Sequence, residues 1–566
     1  MKLAEGFQLL ASAPNCVARL RELILSLAVQ GKLVPQDVMD EPATSLLQKI
    51  RRERDRQISD GKIKREKALP EILEEEKPFE LPKGWEWARL ADLTAVLNGR
   101  AYAKHELLDA GVPVLRVGNL FTSKQWYYSD LELEVEKYCN PGDLLYAWSA
   151  SFGPFIWAGP KVIYHYHIWK LDPHCDTCLN KNFLYTFLLE KTQEIKASGH
   201  GVAMIHMTKE KMEKIVVPVA PLAEQSRIVA KVDELMRLCD ELESRGRLEA
   251  EQHARLTATL FEALAASESS HALAENWSRV AAHFDLLLDR PEAVDALEQT
   301  ILQLAVCGLL VKQELSDEPA SELLKRIQAE KDRLIADAGM RTTARLEVPE
   351  EEKYVGEVPG WQYCRLGNLA RFIDYRGRTP QKVEAGVPLI TAKNVRFGFI
   401  SREPREYIAE KDYSAWMTRG FPRVGDLLFT TEAPLGNIAL IDITERFALA
   451  QRVICFQLHD LSIGPYLRLA IMSAQVQERF SAAASGMTAT GIKASRLKEI
   501  PVAIPPLAEQ RRIVARVDEL RRLCAALRAR LTASQTCQAY FAEALVGQAA
   551  LTGPVATHTA DLAVAA

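Results

Sequence analysis

Two stretches of this chain recur about half its length apart, and that repeat constrains the fold more than any other feature. Leu20–Arg56 aligns without gaps with Leu297–Arg333 at an offset of 277, with 20 of 37 positions identical. Asp40-Glu41-Pro42-Ala43 there matches Asp317-Glu318-Pro319-Ala320. A second block aligns at an offset of 285. Pro221–Leu242 reads PLAEQSRIVAKVDELMRLCDEL and Pro506–Leu527 reads PLAEQRRIVARVDELRRLCAAL, 17 of 22 positions identical. A repeat in fixed order predicts a duplicated architecture. Between the blocks the halves diverge and share only punctuation: Gly84-Trp85 with Gly360-Trp361, Gly111-Val112-Pro113 with Gly386-Val387-Pro388, and Gly142-Asp143-Leu144-Leu145 with Gly425-Asp426-Leu427-Leu428.

The similar blocks have coiled-coil spacing. Apolar residues fall at Ile228, Val232, Leu235, Cys239 and Leu242, and again at Ile513, Val517, Leu520, Cys524 and Leu527, in a 4-3-4-3 rhythm that buries one stripe of a helix. Pro221 and Pro506 suit a first helical turn, where no amide donor is lost. The expected partner helices are Leu20–Val34 and Leu297–Val311, stopped at Gly31 and Gly308. The divergent middles carry short β-type runs, Pro113–Val117, Leu144–Trp148, Leu427–Thr431 and Ile438–Ile441, bounded by turn residues. The fold expected is therefore α+β: two mixed α/β domains separated by two long helical regions of antiparallel coiled-coil type, in a pseudo-two-fold repeat. The expected divisions are a helical region over 1–81, a variable domain over 82–218, a helical spacer over 219–357, a second variable domain over 358–503, a coiled-coil helix over 504–550 and a tail over 551–566. Ser267–Ser270 reads as a loosely ordered joint. The charge run Gln48–Glu76 alternates in sign and reads as a solvated helix.

Charge bounds the partners. The chain carries a formal net of −4 and a pI near 6.3, so any nucleic-acid surface must be local. Residues 358–503 carry a net of +6 and residues 82–218 a net of zero. The ten cysteines sit mostly in apolar runs, as in Val306-Cys307, and read as buried, reduced thiols of a cytoplasmic protein. No secretory signal is evident, and the most apolar early stretch, Leu23–Val29, is far short of the ~20 residues that span a bilayer, so no membrane partner is expected.

Two PLAEQ helices, each closing a divergent domain and opening a heptad helix, together with the Gly-Asp-Leu-Leu strands, resemble the specificity subunits of type I restriction–modification systems. The resemblance runs from about Phe7 to Ala550. It implies a prokaryotic, cytoplasmic subunit with no active site of its own, in which each variable domain is a target-recognition domain reading one half of a split site in double-stranded DNA. It implies two modification subunits that carry S-adenosylmethionine and methylate adenine, and restriction subunits that join through them. ATP and Mg2+ belong to those partners, and no cofactor is expected on this chain. The coiled coil would set half-site separation and dock the partners. A helix of ~30 residues is about 45 Å long, against ~34–36 Å for a turn of DNA.

Candidate DNA contacts follow from residue chemistry. The loop Asp374–Lys382 offers Tyr375, Arg376, Arg378, Thr379 and Lys382, and its counterpart Asn98–Lys104 offers Arg100, Tyr102 and Lys104. Arginine binds guanine in bidentate fashion or holds phosphate; a solvated surface turn is the bland alternative. Arg116 with Asn119, and Lys393 with Asn394 and Arg396, follow the Gly-Val-Pro strands; base contact and strand-end capping are both open for them. Gly199–Gly201 and Ser485–Thr490 are small-residue loops suited either to phosphate approach or to plain turns. The seam residues Ile228, Val232, Leu235, Leu242, Ile513, Val517, Leu520 and Leu527 are the candidates for the coiled coil and subunit docking. Other signals carry little. The glycines around Met487 lack the Gly-Lys-Ser/Thr ending of a phosphate loop. The His165, His167, His174, Cys175, Cys178 cluster has no second Cys-x-x-Cys, so no metal is expected. No methyltransferase or nuclease constellation can be assembled, which leaves a coiled-coil scaffold for a non-DNA ligand as the alternative.

Overall fold

The computed structural model describes residues 15–61, 69–149, 152–198, 207–267, 269–337, 347–354, 356, 358–375, 380–485 and 491–552. These form two compact units. One comprises the described residues up to Leu248 with those from Gln535 onward; the other is Glu249–Ser534.

In each unit the variable segment is entered and left through one antiparallel ladder. Glu86–Arg89 pairs with Val216–Val219, and Gln362–Arg365 pairs with Pro501–Ile504. The entry strands directly follow the Gly-Trp pair and the exit strands end one residue before PLAEQ, so both ends of each divergent middle are tied at a neck. Beyond the neck each unit carries two four-stranded sheets. In the first unit the larger sheet is ordered Thr94–Asn98, Ile168–Pro173, Leu144–Ala147, Gly153–Ile156. In the second it is ordered Ala370–Asp374, Val453–Leu458, Leu427–Thr430, Ile438–Leu440. The order is the same although the sequences have diverged; the shared Gly-Asp-Leu-Leu run places the buried strands Leu144–Ala147 and Leu427–Thr430 at the same position in each sheet. The helix Lys181–Ser198 buries Leu184, Phe187 and Leu188 in the first core; Gly464–Met472 and Ala474–Ala483 bury Leu467, Ile471 and Phe480 in the second.

The similar blocks meet at the necks, which explains their likeness. Helix Cys16–Val29 stops at Gly31, whose φ is +67°, and a Cβ there would lie 2.8 Å from the Trp85 ring. Helix Pro291–Val306 stops at Gly308, φ +72°, against Trp361. Left-handed backbone under an indole admits only glycine cheaply. Ala43 N–H donates to Gly84 O and Ala320 N–H to Gly360 O, each at 2.8 Å. Arg227 pairs with Asp40 and Arg512 with Asp317, each at 2.6 Å. Arg89 pairs with Glu76 and Arg365 with Glu352, each at 2.8 Å. The acids of both PLAEQ motifs are buried beside the tryptophans, and Trp361 Nε1 donates to Glu509 Oε2 at 3.0 Å. Burial pushes the Glu224 carboxyl up to about 7 and that of Glu509 up to about 6.

The heptad seams pack as expected. Ile228, Val232 and Cys239 bury with Leu20, Ile24 and Ala28, with Leu235 against them. Ile513, Val517 and Cys524 bury in the cluster that holds Val294, Leu297 and Ile301, with Leu520 and Leu527 against it. Leu242 is half-buried. Three details differ from expectation. The PLAEQ helices run Leu222–Ala265 and Leu507–Thr552, 44 and 46 residues rather than ~30, or about 66 and 69 Å. The Ser267–Ser270 stretch ends in a helix start: Ser269 caps Ser270–Ala282 by accepting from Ala272 N–H; Glu268 lies outside the described residues. Among the described residues of the charge run the α-helix reaches only to Ser59, as part of Ala43–Ser59, and Glu74–Glu76 form a single 3-10 turn; residues 62–68 lie outside the described residues.

Candidate nucleic-acid interface

Strand register brings the candidate loops of each variable domain to one end. In the second unit Asp374 lies opposite Ile454, Thr430 opposite Val453, and Phe429 opposite Ile438. The loop after Asp374, the turn before Val453 and the loop between Thr430 and Ile438 therefore leave the large sheet together. In the small sheet Ile390 runs parallel beside Leu449, so residues 391–396 leave at that same end, and Asn437 Nδ2 donates to Val395 O at 2.9 Å to join the two groups. The first unit repeats this. Asn98 lies opposite Trp169 and Ala147 opposite Ile168, and Leu115 runs beside Tyr164. Asn98–Lys104 and Arg116 thus meet at the corner His165-Tyr166-His167, which connects the small sheet to the large one; Tyr166 N–H donates to Arg100 O at 3.0 Å.

The candidate side chains divide sharply. Lys104, Arg116, Lys393 and Arg396 are exposed. The Arg116 guanidinium lies 5.2 Å from the Tyr127 ring centroid, which holds it at the corner. Arg100 is at the same end but is bidentate to Glu106 at 2.7 and 3.0 Å. Asn119 and Asn394 are caps rather than free readers. Asn119 Oδ1 accepts from Arg116 N–H at 3.1 Å and its Nδ2 donates to Gln125 O at 2.8 Å. Asn394 is 2% exposed; its Oδ1 accepts from Thr391 N–H and Oγ1, and its Nδ2 donates to Ser401 O and Pro404 O. Between the two alternatives left open for these asparagines, the structure therefore has capping.

Both candidate tyrosines support the fold from inside. Tyr375 is buried, stacks on Trp416 at 5.8 Å, donates to Gly420 O and accepts from Arg419 N–H. The Tyr102 hydroxyl is buried, and desolvation pushes it up to about 12. Lys382 is exposed and paired with Glu406, but it is level with Val387 at the far end of its sheet, away from the cluster. Arg376, Arg378 and Thr379 lie outside the described residues, as do 199–206 and 486–490. Of the eight seam residues, Ile228, Val232, Leu235, Ile513, Val517, Leu520 and Leu527 pack in the hydrophobic clusters of their own unit, where they stiffen the scaffold, and Leu242 is half-buried.

The histidine–cysteine cluster separates in space. Cys175 and Cys178 form a disulfide, their Cα atoms 5.3 Å apart within the range a bridge requires, which corrects the expectation of uniformly reduced thiols. His174 is buried with Nε2 3.1 Å from Ala91 O. His165 and His167 stay at the corner, where burial lowers His165 to about 4, with His167 and Arg116 adding to the effect. Nothing in the sequence marks this corner or its counterpart Ala450-Gln451-Arg452 as a reading element. Three residues between two short strands give no periodic signal, and only the sheet pairing reveals where they sit.

A family profile described as type I restriction modification DNA specificity domain matches residues 82–252 and, again, 360–534. The chain is 31% identical over 572 residues to the type I restriction enzyme EcoEI specificity subunit of Escherichia coli, covering 94% of each. It is 32% identical over 565 residues to the EcoAI specificity subunit, also from Escherichia coli, again covering 94% of each. A chain from a solved structure described as showing complex assembly and conformational transition of the type I R-M system is 18% identical, with 84% of this chain and 99% of that one covered and a TM-score of 0.46.

Proposed function

The chain belongs to the family of type I restriction–modification specificity subunits, and from that premise we propose how its two variable domains divide the reading of a DNA site. It is a DNA specificity subunit with two DNA specificity domains. The scaffold alternative, with a non-DNA ligand, has no support. One observation carries the finer reading: each unit gathers an exposed lysine and an exposed arginine at one end of an identically ordered sheet, at positions that do not correspond between the units. Lys104 and Arg116 in the first domain, and Lys393 and Arg396 in the second, hold phosphate or base edges. The same strand order sets the reading end within each domain. The non-corresponding positions of these cations, in loops of diverged sequence, support two half-sites of unrelated sequence.

The helices Leu222–Ala265 and Leu507–Thr552 act as the spacer between half-sites. Partner docking uses residues that are exposed at equivalent positions of both copies. Leu238 and Leu523 are 40% and 61% exposed, and Val38 and Leu315 are 98% and 92% exposed. An exposed apolar side chain is unremarkable singly, but recurrence in both copies matches two identical modification subunits. Those subunits carry S-adenosylmethionine, and ATP and Mg2+ serve the restriction subunits; this chain supplies recognition without a catalytic step, in the cytoplasm. No helix among the described residues is long and apolar enough to cross a membrane.

A salt titration tests the reading. The complex with its modification subunit is expected to bind its own site with an affinity that falls steeply with salt, and Arg116→Ala or Lys393→Ala should each reduce that slope by about 1. Slopes unchanged in both variants would refute the placement of the interface.

A further inference from the structure

We propose that the corner joining the two sheets in each variable domain is a base-reading element, with Arg452 selecting guanine in one half-site and Tyr166 supplying an apolar base contact in the other. The inference rests on the reading above and names side chains it leaves unassigned.

The two corners share a backbone anchor and differ in side chains. In the first unit Trp148 N–H donates to His167 O at 3.1 Å, and Trp148 Nε1 donates to Tyr166 O at 2.8 Å. In the second, at the equivalent ladder position, Thr431 N–H donates to Arg452 O at 3.0 Å and Thr431 Oγ1 to the same oxygen at 3.3 Å. Each corner is therefore held from the neighbouring strand end and lies beside the loop that carries Arg116 or Lys393. A variable side chain on a fixed anchor is the arrangement a specificity element needs.

Arg452 carries a second mark. Its φ is +76°, left-handed backbone that a side chain with a Cβ resists, and residues in that state cluster where function demands them. Its side chain is half exposed, and Nε sits 2.7 Å from Glu432, which pre-orients the planar fork without covering it. A guanidinium so presented matches guanine O6 and N7. Tyr166 is 40% exposed and its ring lies against His165 and His167, centroids 4.5 and 3.9 Å away. An aromatic edge of that kind suits a thymine methyl and cannot make a bidentate hydrogen-bond pair.

Adenine-methylation sequencing of cells that carry the full chain and its modification subunit tests this. The informative variant is Arg452→Gly, because glycine fits φ +76° and removes the side chain without straining the fold. It should keep its melting temperature or raise it, keep one half-site intact, and lose guanine preference at one position of the other by on the order of 10- to 100-fold. Tyr166→Ala should relax a position in the opposite half-site. An unchanged motif in Arg452→Gly would overturn the proposal. So would uniform weakening with guanine retained, which would mark a phosphate contact. Failure of the parent reading is distinguishable, because the unaltered chain would then direct no motif at all.

Discussion

Asn394 and Lys393 are neighbours with opposite fates, and the difference is burial. The asparagine spends both ends of its amide inside its own loop, whereas the lysine is exposed. Asn394→Ala should therefore destabilise the protein by about 1–3 kcal/mol, since it strips partners from buried backbone groups. Lys393→Ala should leave the melting temperature unchanged. The sequence could nominate both residues but could not separate them, because an amide is equally fit to cap a turn or to bind adenine. The same limit hid the roles of Tyr102 and Tyr375. The PLAEQ glutamates give a pH signature. Glu224 titrates near 7 in the fold against an ordinary value near 4.5, so the folded state binds the extra proton between those values. Its contribution to stability is full below about 4.5 and is lost as pH rises through 7. Glu224→Gln should match the parent protein at pH 5 and exceed it at pH 8 by about 1–3 kcal/mol in denaturant unfolding.

At the scale of elements, the heptad seams were legible because one buried stripe leaves a period that any reader of the sequence can count. Helix length was not: the first helix continues through 243–252, where every residue is exposed and no stripe is required. Gly31 and Gly308 were legible as stops, but the second reason for them, the indole of the Gly-Trp pair packed on the left-handed turn, needed the fold. Two outcomes belong here. Leu238→Glu with Leu523→Glu should weaken assembly with the modification subunit at least tenfold without loss of helix by circular dichroism, because both positions point away from the seam; unchanged assembly would remove them from the docking surface. A heptad inserted into both long helices, within 243–252 and within 532–537, adds about 10 Å of helix. The spacer of the recognised site should grow by about three base pairs, and a site with the old spacer at full methylation would end the ruler idea.

At the scale of the molecule, the duplicated architecture was readable from one chain because the residues that agree between copies are those that touch one another at the necks. Asp40, Gly84, Glu224 and Arg227 in one copy, and Asp317, Gly360, Glu509 and Arg512 in the other, form one contact set made twice. The reading ends had no such signature. They diverge by design of function, and short loops lack a period, so their convergence appeared only with strand register. A neck that ties both ends of each middle predicts modularity: replacing 82–218 with the corresponding domain of a relative should change one half-site and leave the other. The most direct test of the central claim is single-molecule sequencing of adenine methylation in a strain that carries this chain with its modification partner, beside a strain that lacks only this chain. Two separate readers on one frame predict a split motif with unrelated halves that disappears with the chain. A continuous or palindromic motif, or no motif lost, would contradict the account.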